Sequence, residues 1–315
     1  MTARNDAVAT TREPVDRADG HRRERTGLPG RIARHRMGAF FALAFALSWL
    51  AWTPYVLSRN GLGVLDFGFP SLLGSTQLFG VLPGAYLGPI TSAFIVTAVA
   101  DGRPGLRRWA GRLLRWNVNW RWYVCVLLGV PAVLTAFSLP WSGGHVQAPP
   151  ALLAVAYVPA LMLQVVTTGI AEEPGWRDFA LPHLQPRFGP VRGTLILGPL
   201  WGAWHLPLFL TEWGGWPDLP WWQPVLFIAS CVPVSIVMTW VFNRTGESLP
   251  LAMLLHASIN NFFSTAWSPM FPTIDAPYTS TLVILNASTA AAVVLLIISR
   301  GRLGYRGAVT PARRP

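Results

Sequence analysis

Three short stretches concentrate the residues able to do chemistry: Glu172-Glu173-Pro174-Gly175-Trp176-Arg177, Trp201-Gly202-Ala203-Trp204-His205 and His256-Ala257-Ser258-Ile259-Asn260. Each lies in or at the edge of an apolar run, where an ionisable side chain costs ~2.5–3.5 kcal/mol on insertion scales. Glu173 precedes Arg177 by four positions, the favoured order for a helical ion pair, which leaves Glu172 without a cation of its own. A lone carboxylate held away from bulk water suits general-base work on a bound water. His256 and Asn260 are also spaced i, i+4 and share one helical face, so they can act on one bound group. An Asn amide beside a His N–H would hold the oxyanion formed when water attacks a peptide carbonyl, a contribution of ~3–4 kcal/mol per donor. Blander roles stay open for each residue alone: the acids as residues at the membrane boundary, the His and Asn as interhelical hydrogen-bonding groups.

Such residues need helices at membrane depth to position them, and the composition supplies those. Hydrophobic residues make up 52% of the 315, charged residues only 12%, and mean hydropathy is +0.38, far from the charge content of a soluble domain. Apolar runs long enough to cross ~30 Å of hydrocarbon recur at roughly 38–57, 80–100, 122–141, 151–171, 193–211, 222–243, 248–264 and 279–299. The expected fold is therefore all-α, a polytopic transmembrane bundle of about eight spans, the seventh of them short. The expected division is a disordered polar tail over 1–36, N-terminal spans with a basic loop over 37–149, a catalytic core over 150–265, a last span within 266–299 and a basic tail over 300–315. No cleavable signal sequence is visible ahead of the first span.

Arginine placement tests the count. Of the 25 basic residues, all Arg, 24 fall in the tails and alternate loops on one side, and only Arg59 falls on the other. With eight spans, the positive-inside rule then puts both termini in the cytoplasm of a multi-pass plasma-membrane protein. The net charge of +11 orients the chain rather than binding nucleic acid, because the arginines sit in short blocks between apolar runs and the 16 Trp cluster near span ends. Residues 101–121 interleave Arg103, Arg107, Arg108, Arg112 and Arg115 with Leu106, Trp109, Leu113 and Trp116. That spacing suits an amphipathic helix on an anionic leaflet, and a solvated basic loop fits equally. Gly80, Gly84 and Gly88, and again Gly198 and Gly202, have the spacing that lets membrane helices approach closely. Cys125 and Cys231 sit singly in apolar runs and read as small buried hydrophobes. Pro174, Pro199, Pro207 and Pro233 predict kinked or broken helices near the site. At ~1.5 Å per residue His205 lies deeper than Glu172 unless the fourth span continues past Ala171, which is the expectation here.

Together the three stretches resemble the motifs EExxxR, FxxxH and HxxxN of the CPBP family, which includes the CAAX prenyl endopeptidases and bacteriocin-processing or immunity-type membrane proteins. The resemblance covers roughly residues 150–265. One position departs from it: Trp201 stands where the second motif has Phe, which keeps an aromatic substrate wall but enlarges it. The resemblance implies an intramembrane endopeptidase acting on a membrane-associated protein or peptide. In it Glu172 and His205 activate water, His256 and Asn260 hold the oxyanion, and Glu173 with Arg177 orients the first motif. The family is often called a metalloprotease. Glu172, His205 and His256 are the conceivable zinc ligands, but assigning His256 to the oxyanion leaves too few for a tight site, so no cofactor is expected. Two other classes compete: a non-catalytic immunity or scaffold protein of the same family, and a small-solute transporter, for which the sequence offers no internal repeat.

Overall fold

The structure is a computed structural model that describes residues 27–307 apart from 73, 275 and 277. Among the described residues, seven helices are long and apolar enough to cross a membrane. After a short helix α1 (Gly27–Arg34) they are α2 (Arg36–Leu57), α3 (Leu82–Leu114), α4 (Trp120–Ser142), α5 (Ala151–Phe188), α6 (Pro190–Leu210), α7 (Gln223–Arg244) and α9 (Thr279–Ile298). Between the last two lies α8 (Leu249–Asn261), which continues through π-helical turns to Met270. This is the expected short seventh span. It is the most enclosed helix of the bundle, buried from Leu249 to Ser258, so its polar residues lower its hydropathy without meeting lipid. The opposite case is the start of α5, where Leu152, Val155 and Val158 are 79%, 75% and 62% exposed. Such a face would be a liability in water and costs nothing against acyl chains.

Two expectations change and a third holds. Residues 27–34 of the expected tail are helical, while its first 26 residues, like 308–315, lie outside the described residues. Of the two readings of residues 101–121, the solvated loop gives way to helix as far as Leu114: α3 runs on through them, bending where Gly102 takes φ 62°, and Arg112 turns inward onto Asp178 at 2.7 Å and Glu247 at 2.8 Å. Residues 172–188 belong to α5, which continues as expected beyond Ala171 and past Pro174. Helix continuity through Pro174 is kept by π-helical turns over Val165–Ile170 and Trp176–Ala180, which re-pair backbone groups around the missing N–H. The helix ends at Gly189, whose φ of 78° suits glycine alone, and Pro190 starts α6 at once.

The glycine stripes pack helices. Gly80, Gly84 and Gly88 face Tyr55, Trp52 and Ser48 of α2. On α6, a methyl group added at Gly198 would lie 2.9 Å from Val232 Cα and one at Gly202 2.8 Å from Ile228 Cα, both on the backbone of α7. Backbone cannot step aside as a side chain can, so Gly202→Leu is expected to push α6 off α7 and to lower the thermal unfolding midpoint of detergent-purified protein by several degrees. An unchanged midpoint would show that the two helices are not locked there.

Candidate active site

Gly189 makes α5 and α6 an antiparallel pair, and that sets the depth of the first two motifs. Counted back from Phe188 at ~1.5 Å per residue, Glu172 lies about 24 Å along α5; counted forward from Pro190, His205 lies about 22 Å along α6. The depth mismatch expected from a fourth span ending at Ala171 is removed by the extension of α5. The helix α8 carries His256 and Asn260. Its start is fixed by Ser248, whose side chain accepts from the Leu251 N–H while donating to Arg115 O at 2.7 Å.

Glu172, Glu173, Arg177, Trp201, His205 and His256 are all buried. Trp201 joins them. Its indole Nε1 donates to Glu172 Oε2 at 2.8 Å, and its ring meets the His256 ring edge-on with centroids 5.1 Å apart. The Arg177 guanidinium lies 4.9 Å above its centre. Its carbonyl, which can only accept, takes a hydrogen bond from His205 Nδ1 at 3.0 Å; this leaves His205 Nε2 with a lone pair. His205 is held further by a parallel stack on Trp213, centroids 5.6 Å and planes 13° apart, and by edges of Trp204 and Phe227.

Glu173 bridges two helices. One oxygen accepts from His256 Nδ1 at 2.8 Å, and the other faces Arg177 Nε at 3.4 Å, an ion pair without a well-aligned hydrogen bond. Arg177 is anchored instead by Nη2, which donates to Ser235 Oγ and Met238 Sδ at 3.2 Å each. Asn260 sits one turn beyond His256, half-buried, and its amide makes no hydrogen bond among the described residues. Glu172 Oε1, His205 Nε2 and His256 Nε2 are likewise unpaired there without being sealed from solvent-sized contact. Four side chains thus each keep a polar atom that the other described residues do not pair. Among the described residues, no three His, Cys, Asp or Glu side chains gather as a metal-ligand set. The Nδ1 atoms of both histidines are already committed to a carbonyl and a carboxylate.

Several supporting residues escaped the sequence reading. Asp178, next to Arg177, is buried and paired with Arg112, which also reaches Glu247 in the turn before α8. Its only sequence signal is a third acid six residues after Glu172. Trp213 carries none, since it lies in a loop outside every motif. An apolar cavity of about 480 Å³ lies between α4, α7, α8 and α9, lined in part by Val126, Met238, Leu255, Ile259 and Ala287. Leu255 and Ile259 are the chain neighbours of His256 and Asn260, so the cavity borders α8 beside the candidate site.

Residues 154–262 match the family model described as type II CAAX prenyl endopeptidase, Rce1-like. The chain is also 25% identical over 232 residues to CAAX prenyl protease 2 of Methanococcus maripaludis, an alignment that covers 70% of this chain and 81% of that protein. The family match spans all three motif stretches and ends just beyond Asn260.

Proposed function

We propose that this chain, whose residues 154–262 match the Rce1-like model of type II CAAX prenyl endopeptidases, hydrolyses a peptide bond in a membrane-associated substrate with water activated by Glu172 and His205. The observation that carries the reading is the set of free polar atoms on Glu172, His205 and His256 around Trp201, with Asn260 one turn further along α8. Glu172 Oε1 takes a proton from water while His205 Nε2 orients it. The water oxygen bonds to the substrate carbonyl carbon, whose π electrons move onto oxygen. That oxyanion accepts from the Asn260 amide and from His256, whose doubly protonated ring carries the charge opposite to the Glu173 carboxylate it meets. Collapse breaks the C–N bond, and Glu172 returns its proton to the leaving amine.

We assign no metal to these steps, and both termini to the cytoplasmic side, on the arginine distribution. The apolar cavity beside α8 fits a hydrocarbon chain carried by the substrate, in line with the prenyl protease named above. The test uses purified chain in liposomes with membrane-presented peptides, lipidated and unmodified. Cleavage is expected, with a lower KM for the lipidated form, unchanged by chelators, and Asn260→Ala should lower kcat by about 10²–10³-fold. Absence of cleavage, or zinc at one per chain lost together with activity, would contradict the reading.

A further inference from the structure

The side chain at 201 differs from the phenylalanine of the motif it resembles by a larger, fused ring and by one polar atom, the indole N–H, and that atom is used. Its N–H meets Glu172 Oε2 at 2.8 Å. A phenylalanine at this position could still lie under Arg177, meet His256 edge-on and offer its carbonyl to His205. It could not hold the carboxylate. The terminal torsion of a glutamate is broad, so without a donor the Glu172 oxygens exchange roles freely.

We propose that Trp201 is a positioning residue: its indole N–H pins Oε2 of Glu172 and so aims Oε1 at the water to be activated. The inference rests on the endopeptidase reading above. Trp201 is itself fixed, 4% exposed with the Arg177 guanidinium over its face. The carboxylate is therefore referenced to a rigid ring rather than to a mobile side chain. Because His205 is held by the main-chain carbonyl of Trp201, replacing the side chain leaves that bond in place. The variant Trp201→Phe removes the donor and keeps a wall.

Misplacing a reacting atom by about 1 Å costs about 10²-fold, so Trp201→Phe is expected to lower kcat tenfold to a hundredfold with KM within about twofold of wild type. Equal kcat overturns the inference, and so does a raised KM with kcat kept, which would mark a wall alone. A second measurement reads the hydrogen bond without substrate and does not depend on Trp201→Phe folding. In ¹⁵N-labelled full-length chain in micelles, the Trp201 indole line, identified by selective ¹⁵N-Trp labelling and single-Trp substitution, should shift upfield in Glu172→Ala; an unmoved line overturns the inference. If wild type cleaves and Trp201→Phe matches its kcat, only the inference falls. If wild type cleaves nothing, the endopeptidase reading falls and takes the inference with it.

Discussion

Replacing Glu172 with alanine is expected to lower kcat for peptide cleavage by about 10²–10⁴-fold, the usual contribution of a positioned general base, with KM little changed. Among the described residues the carboxylate makes no charge pair of its own with another helix, and its hydrogen-bond partner is the Trp201 indole. Removing it should therefore spare the fold, and the thermal midpoint of Glu172→Ala should stay near wild type. Glu172→Gln should be as inactive, because an amide keeps the shape and the indole bond but cannot take a proton from water. Steady-state rates on membrane-presented peptide check both variants. A Glu172→Gln protein that cleaves normally would leave Glu172 with a packing role.

Arg177→Ala should act in the opposite way, on stability first. Arg177 is wholly buried, and its charge is matched by Glu173 and little else: Nε and Nη1 find no hydrogen-bond partner among the described residues. Taking away one partner of a buried pair costs about 3–5 kcal/mol, because the charge left behind stays in low dielectric. Here that charge is Glu173, which keeps His256 as its remaining partner, so the loss lies toward the lower end of that range and the proposed oxyanion site weakens with the fold. Denaturant-induced unfolding of detergent-purified protein measures the loss. Arg177→Lys should not restore it, since an ammonium cannot lie flat over Trp201 while also reaching Ser235 and Met238. A midpoint within error of wild type for Arg177→Ala would mean that the pair contributes nothing.

The bundle was legible because lipid imposes a length and an apolarity that the chain must display residue by residue. Its ends were less so. Residues 27–34 and 103–114 carry arginines at helical spacing, which hydropathy alone records only as polar. The extension of α5 past Pro174 could be anticipated from depth, since His205 had to be met, but not the π-helical turns that allow it. In the site, the four-residue spacings put Glu173 near Arg177 and His256 on the face of Asn260. The bond from His256 to Glu173 crosses 83 positions of sequence, and the stack of Trp213 on His205 starts in a loop. Contacts between elements follow from packing angles that no local pattern encodes. Trp201 shows the same limit: its aromatic character was readable, the direction of its N–H was not.

A double-substitution cycle on Glu172 and His205 tests most directly whether the two act on one water. If they do, either loss already forfeits the activated water, and kcat of the Glu172→Ala/His205→Ala chain should fall within a few-fold of the slower single variant, as for groups that act as a unit. A double variant slower by the product of the two single effects would mean that the residues contribute independently, and no shared water would join them.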